Sequence, residues 1–558
     1  MKIKERPWFK IWPSSMPKEI VYPKISLHEI LIKTAKEYPN NIAIDYLDNE
    51  ITYKELNIFS DQFAIGLRKL GVKKQDPIAL FLPNNPQFII AYFGILKLGA
   101  IVTSINPLYR EREVKYQLVN SGAKIIITLE SLYPIIQKVS QKTKLENVIL
   151  AKPTWNFPSV DASEINIIHK HNILCFEKII LENSNLTIPS IKIDPKIDLA
   201  ALQYTGGTTG VVKGAMLTHF NLVSNTLMFK TWIKAKPASE NFLTALPLFH
   251  IYGMTTSMTV PIASAAKMVL IPKFDPKKIL HLIQSKKITV FCGVPTMYSI
   301  LLTNKDLEKF DLTSIRICIS GASPLPPQVQ KKFMKITKGL LAEGYGLTEA
   351  SPVTHCNPID NTTETVRIGS IGIPLPDTDA KIVNLQHHEK EVPVGEKGEL
   401  AIKGPQIMRG YWKNSIETKL VLKDGWLLTG DIGKMDKDGF FYITDRKKDL
   451  IKYKDYSIYP RELEDIIYEN SKIKICAVIG KPAPIVGEIP KAFIVLKENE
   501  KITEEEIKAF VNNRVASYKA IREVEFRKDL PISSVGKVLR RILQDEEKQK
   551  IAKIKLKN

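Results

Sequence analysis

The chain has 558 residues, a formal net charge of +21, 44% hydrophobic residues and 25% charged ones. That length is too great for one hydrophobic core and implies two or more units, and the composition is globular rather than fibrous or disordered. Five scattered cysteines, Cys175, Cys292, Cys318, Cys356 and Cys476, show neither metal-ligand spacing nor a disulfide framework, which argues for a reducing, cytoplasmic setting.

The opening residues, MKIKERPWFKIWPSS, lack the apolar stretch of a secretory signal. The most apolar run, 88–102, is too short to span a bilayer and contains Lys97. The positive charge admits three readings. Nucleic-acid binding is disfavoured, because no helix-turn-helix, zinc-finger or RNA-recognition pattern is found. Attraction to an anionic membrane surface is a second reading, and solubility alone is a third. A positive field would also steer polyanionic substrates inward.

In chain order, Pro13, Pro17 and Pro23 mark turns before a helix over 27–38. A second, amphipathic helix opens at Tyr53-Lys54-Glu55-Leu56 and runs through residue 70. Residues 78–82 read as a buried strand, 86–98 as a helix, and 124–128 and 147–151 as strands. This alternation marks a doubly wound sheet. Residues 153–196 are polar and poorly periodic, and read as an insertion or linking loops.

Next comes Tyr204-Thr205-Gly206-Gly207-Thr208-Thr209-Gly210-Val211-Val212-Lys213-Gly214. Glycine lets backbone approach a ligand, and successive free N–H groups form an anion-binding concavity. Threonine hydroxyls and a lysine add donors suited to a polyphosphate. The common P-loop spacing is not met, since Lys213 lies between Val212 and Gly214. Residues 215–219 read as a strand or turn leading into a helix.

His250 lies in the apolar run Leu246-Pro247-Leu248-Phe249-His250-Ile251-Tyr252-Gly253. A lone histidine in such a run is more often a packed or capped core residue than a catalyst. Strands follow at 268–271, 290–292 and 315–319, the last ending in Ser320-Gly321-Ala322-Ser323-Pro324. Ligands bind at such carboxyl ends of strands in open α/β sheets. A nucleophile elbow is excluded there, because Ser323 is followed by Pro-Leu rather than x-Gly. In Glu343-Gly344-Tyr345-Gly346-Leu347-Thr348-Glu349 the glycines leave an aromatic face open, and Glu349 is a hard oxygen ligand suited to Mg²⁺ with ATP phosphates.

Asp431, in Leu428-Thr429-Gly430-Asp431, could accept both hydroxyls of a ribose. The charge-dense run 444–453 would ordinarily be a solvated face. Beyond it lie a helix over 461–468, strands at 477–479 and 492–495, a helix from residue 504, and the tail Pro531-Ile532-Ser533-Ser534-Val535-Gly536-Lys537-Val538-Leu539-Arg540-Arg541.

Four separated strings, YTGGTTGVVKG, GYGLTE, DGWLLTGDIGKMDKDGFFYITDRKKDLIK and PISSVGKVLRR, resemble in order the motifs of the adenylate-forming enzymes. That family comprises acyl-CoA synthetases, aryl-CoA ligases, peptide-synthetase adenylation domains and firefly-type luciferases. The wording is most similar to bacterial long-chain fatty-acid–CoA ligases. The resemblance implies an α/β fold: a large N-terminal domain of doubly wound sheets with a small β-rich subdomain (1–445), and a small mobile α+β domain (446–558). It implies ATP, Mg²⁺ and CoA as cofactor and co-substrates, and a fatty acid as substrate.

By the same resemblance Thr205, Gly206, Gly207, Thr208, Thr209, Gly210 and Lys213 hold phosphates. Gly321, Ala322 and Ser323 form the adenine edge, joined in the nucleotide set by Gly344, Tyr345, Gly346, Thr348, Asp431, Ile443 and Arg446. Thr205 and Glu349 hold the metal. Lys537 is the catalytic lysine, His250 borders the acyl pocket, and Asp445 is the hinge. Two departures stand out: Met254 replaces a tryptophan proposed to gate the acyl tunnel in some relatives, and Asp455 replaces a glycine beside pantetheine. A medium-chain or aryl acid–CoA ligase is the alternative within the class, and a luciferase-like oxygenase the alternative outside it. A peptide-synthetase module is disfavoured, since no carrier domain follows Asn558. No nucleic-acid partner is expected; a homodimer and a peripheral contact with the cytoplasmic face of an anionic membrane are.

Overall fold

The computed structural model describes residues 6–155, 173–184, 186, 188, 191–205, 212–359, 366–454, 456–483, 486–533 and 538–555. Contacts divide the chain into two units, Met1–Asp379 with Ile402–Leu427, and Ala380–Ala401 with Leu428–Asn558. Residues on both sides of the expected boundary at 445/446 belong to the second unit.

The first unit is built on two sheets. Among the described residues one has seven strands, in the order Ile173–Cys175, Asn147–Ala151, Ile125–Leu129, Pro77–Phe81, Ile101–Ser104, Leu199–Thr205, Lys213–Thr218. All neighbours are parallel except the last pair, Leu199–Thr205 with Lys213–Thr218. The other has nine, in the order Ile373–Pro374, Val353–Cys356, Leu340–Gly346, Ile317–Ser320, Val290–Gly293, Asn241–Thr244, Lys267–Leu270, Ile42–Tyr46, Asn49–Thr52. Its central pairs are parallel. The continuous apolar runs of the central strands follow from burial on both faces.

Local chemistry sets the helices. Tyr53–Lys69 begins with a capping box, in which the Glu55 N–H donates to Thr52 Oγ1 at 3.2 Å and the Thr52 N–H to Glu55 Oε2 at 2.8 Å. Pro86–Lys97 starts with proline in its first turn, where no N–H is needed, and every residue of it is buried. Its one charge, Lys97 Nζ, donates to Asn57 O (3.0 Å), Asn57 Oδ1 (2.8 Å), Ser60 Oγ (2.8 Å) and Asp61 Oδ1 (2.7 Å). Burial lowers the Lys97 pKa to about 8, with Asp61 opposing the shift.

Most expected elements are found within a residue or two. The stretch 153–196 is a correction. Its described part holds the strand Ile173–Cys175, which extends the seven-stranded sheet, and the helix Phe176–Glu182, with Phe176, Glu177, Ile179 and Ile180 buried. It is therefore partly core. Among the described residues no helix is long and apolar enough to cross a membrane.

The second unit holds most of two further sheets. Strands Asp379–Val383, Gly398–Lys403, Trp426–Met435 and Phe441–Arg446 lie side by side. Tyr456–Ile458, Ile451–Tyr453, Gly487–Leu496 and Ile473–Ala483 form the other, with Glu523–Phe526 paired to Gly487–Leu496. Helices Pro460–Tyr468 and Glu504–Asn512 share its core: Leu463, Ile467, Ile507 and Val511 pack with Ile451, Ile458, Val478 and Ile494. This is the expected α/β architecture, with a smaller α+β part at the carboxyl end.

Candidate active site

In the first unit three stretches leave the carboxyl ends of strands, the positions where open α/β sheets bind ligands. The glycine-rich stretch leaves Leu199–Thr205 and returns as Lys213–Thr218, with Thr205 opposite Lys213 in the ladder. Gly206, Gly207, Thr208, Thr209 and Gly210 lie outside the described residues, so the site is built from the base of that turn. Tyr204 OH donates to Asn120 Oδ1 at 2.6 Å, and the Tyr116 OH to Val212 O at 3.0 Å. A Cβ on Gly214 would sit 3.2 Å from the Tyr204 ring, so a larger residue there would press that ring outward by a few tenths of an ångström.

Gly321, Ala322 and Ser323 follow Ile317–Ser320. The Gly321 N–H donates to Gly293 O at 3.1 Å, and Ala322 has φ +68°. Gly344, Tyr345 and Gly346 end Leu340–Gly346, and the Tyr345 ring meets His355 edge-on, with centroids 5.9 Å apart. A Cβ on Gly346 would fall 2.1 Å from Pro352 O, so the turn into Thr348–Ala350 requires glycine. Thr348 is buried there and Glu349 half-buried.

Lys213 and Glu349 come from different sheets, yet the structure brings them to one tyrosine. Tyr411 OH donates to Glu349 Oε1 at 2.7 Å, and Lys213 Nζ stands 5.2 Å from the Tyr411 ring centroid. Lys213 Nζ also donates to Glu417 Oε2 at 2.5 Å. Burial and the neighbouring Glu349 carboxylate push the Tyr411 hydroxyl pKa well up, keeping it a donor. Sequence reasoning passed over Tyr411 and Glu417. A trace was legible: Asn414 and Glu417 have the spacing of a helix cap, and Asn414 Oδ1 accepts the Glu417 N–H at 3.1 Å at the head of Ser415–Val421.

His250 is the N-cap of a short helical turn, its Nδ1 accepting the Tyr252 N–H at 3.2 Å. Met254 is buried, and Tyr92 OH donates to its sulfur at 3.1 Å. A π-turn, Thr255–Thr259, follows directly; such turns recur at functional sites.

In the second unit Asp431 and Arg446 are brought together. They face each other across Trp426–Met435 and Phe441–Arg446, with Arg446 Nε 3.1 Å from Asp431 Oδ1. Ile443 lies on the same hairpin and its carbonyl accepts from Arg461 at 2.8 Å. Asp445 is buried, its carboxylate accepting the N–H groups of Arg446 (2.7 Å) and Arg461 (2.9 Å). Burial raises its pKa to about 6. Lys537 and Asp455 lie outside the described residues.

The sequence matches the family model of AMP-binding enzymes over residues 31–412 and that of the AMP-binding enzyme C-terminal domain over 462–537. It is 43% identical over 556 residues to a long-chain-fatty-acid--CoA ligase of Bacillus subtilis, covering 97% of this chain and 98% of the relative. Among solved structures, ATP-bound MatB from Rhodopseudomonas palustris superposes with a TM-score of 0.82 at 28% identity, covering 94% and 99% of the two chains. FadD1 of Archaeoglobus fulgidus, a long-chain-fatty-acid-CoA ligase, does so with a TM-score of 0.69 at 26% identity, covering 91% and 98%.

Proposed function

The chain belongs to the family of AMP-binding enzymes, and on that premise we propose that it is an ATP-dependent long-chain fatty-acid–CoA ligase. A carboxylate is a poor acyl donor, because its leaving group would be oxide. One carboxylate oxygen of the fatty acid attacks the α-phosphorus of ATP, the bond from that phosphorus to the bridging oxygen breaks, and pyrophosphate leaves. The CoA thiol then gives up its proton, sulfur bonds to the acyl carbon, and AMP departs with the C–O electron pair. No enzyme nucleophile is needed, so the protein's task is positioning and charge neutralisation.

The observation that carries this reading is the convergence of Lys213 and Glu349, from two sheets, on Tyr411. Lys213 donates to the phosphates with Thr205 and the glycine-rich turn. Asp431 accepts from the ribose hydroxyls, with Arg446 as its partner. Thr205 and Glu349 are hard oxygen donors that fit Mg²⁺. Bound there, Mg²⁺ would supply neutralisation of phosphate charge.

Lys537 delivers the second positive charge to the reacting phosphate. The carboxyl-terminal part from 446 onward turns about Asp445 between the two steps, sheltering the adenylate from water. Met254 and His250 line the acyl site. Net charge of +21 supports a peripheral, salt-sensitive contact with anionic membrane, and the active form is proposed to be a homodimer. Pyrophosphate release across acids from acetate to oleate, with and without CoA, tests the function. Release should peak with long-chain acids, and thioester should form only with CoA. A peak with aryl or medium-chain acids would replace the substrate, and oxygen-dependent light emission without thioester would replace the class.

A further inference from the structure

Residues 408–418 lie in none of the four strings singled out in the sequence, yet they touch both charged groups of the first unit's site. The Met408 N–H donates to Glu349 O at 2.8 Å. From there the backbone runs along Lys213–Thr218: Arg409 N–H to Met216 O at 3.0 Å, Met216 N–H to Gly410 O at 2.9 Å and Trp412 N–H to Gly214 O at 2.8 Å, with Tyr411 bridged to Ala215. The strap is pinned at its far end. Thr418 Oγ1 accepts the Tyr411 N–H at 2.9 Å and donates to Asn414 O at 2.8 Å, while Trp412 Nε1 donates to Asn120 O at 3.1 Å. From this fixed backbone project the hydroxyl that holds Glu349 and the carboxylate that holds Lys213.

We propose that Tyr411 and Glu417 are positioning residues for adenylation: Tyr411 orients the metal-binding carboxylate of Glu349, and Glu417 holds the Lys213 ammonium where the phosphates arrive. The proposal rests on the ligase reading above. Lysine is a point charge on a flexible four-carbon stem, so its direction must come from a partner. The Lys213 side chain is only 9% exposed and that of Glu417 26% exposed. Without nucleotide, Glu417 neutralises an ammonium that water scarcely reaches. An ammonium has three donors, and Glu417 engages one of them. Tyr411 likewise engages one oxygen of Glu349, fixing the plane in which the other is offered. Because one strap carries both partners, the metal carboxylate and the phosphate lysine keep their spacing.

The test uses the full chain and the variants Tyr411→Phe, Glu417→Gln and Glu417→Asp. Equilibrium binding of ATP is titrated calorimetrically, and Mn²⁺ binding with ATP is followed by electron paramagnetic resonance. Each half-reaction is timed in single turnovers. Glu417→Gln should weaken ATP binding and raise the KM for ATP by about tenfold or more, the scale of one hydrogen bond to a charged group. Glu417→Asp should recover part of this. Tyr411→Phe should weaken Mn²⁺ binding several-fold and move the Mg²⁺ dependence of pyrophosphate release to higher concentration. In both, adenylation should fall about tenfold more than thioester formation from supplied acyl-adenylate. Equal losses in the two half-reactions, or unchanged ATP and Mn²⁺ binding, would overturn the proposal. If the wild type released no pyrophosphate with any fatty acid, the ligase reading would fail, while the two binding titrations would still decide the roles of Tyr411 and Glu417.

Discussion

Replacing Asp445 by asparagine should change how stability depends on pH. The carboxylate is buried at 4% exposure and receives two backbone N–H groups. Arg540 faces it and favours ionisation, Glu464 opposes it, and Lys397 and Tyr459 lie within electrostatic reach. Desolvation outweighs these and lifts the pKa from 3.8 to about 6. Well below the unfolded value of 3.8 the group is protonated in both folded and unfolded chains. As pH rises the unfolded chain ionises first, so stability is lost progressively until the folded pKa is passed. A shift of about two units corresponds to about 3 kcal/mol across that window. Asparagine does not titrate and accepts only one of the two N–H groups at its oxygen, a pH-independent cost of about 1–3 kcal/mol. The variant should therefore be less stable than wild type at pH 4 and equal or better at pH 7. Because a chain of two units need not unfold in one step, the readout is urea-dependent hydrogen exchange in peptides from 451–496 at pH 4.5, 5.5 and 6.5. Parallel pH curves for the two proteins would refute the reasoning.

Lys537→Ala should lose roughly 10²-fold or more in adenylation, the scale of one transition-state donor, yet still convert supplied acyl-adenylate and CoA; equal loss in both single-turnover assays would make the lysine structural. Asp455→Gly should speed thioester formation and spare adenylation, by removing a carboxylate near an anionic substrate; slower thioester formation would show the aspartate to be a fitted part of the site. Vesicles rich in anionic lipid should co-sediment the protein at low salt and release it at high salt, since exposed charges are screened within roughly 8–10 Å at ordinary ionic strength; binding indifferent to salt would exclude the electrostatic contact.

Legibility in the sequence followed the range of the forces involved. The helix from Tyr53 was readable because its amphipathic period is carried by neighbouring residues of the helix itself, Tyr53, Leu56, Phe63 and Leu67 being buried. Central strands such as Pro77–Phe81 and Ile125–Leu129 were readable because burial on both faces leaves a continuous apolar run. Ile173–Cys175 and Phe176–Glu182 were missed because three and seven residues are too few to show a period. Within the site, Lys213 and Glu349 were legible from composition, each beside glycines in a polar string. Their partners were not. Tyr411 and Glu417 are ordinary surface-type residues in sequence, and their roles exist only once the strap lies along Lys213–Thr218.

The helix Pro86–Lys97 presents an orientation problem that hydrophobicity cannot solve. A rod buried on all sides has no wet face to mark which way it should turn, and each rotation by one residue, about 100°, offers hydrocarbon to hydrocarbon. Lys97 is the key that fits one lock. Only one rotation presents its ammonium to Asn57, Ser60 and Asp61; any other leaves a bare charge in oil, at a cost no packing gain recovers. The most apolar segment of the chain is therefore oriented by its single ion, and an engineer who exchanged Lys97 for methionine would keep the grease and lose the address.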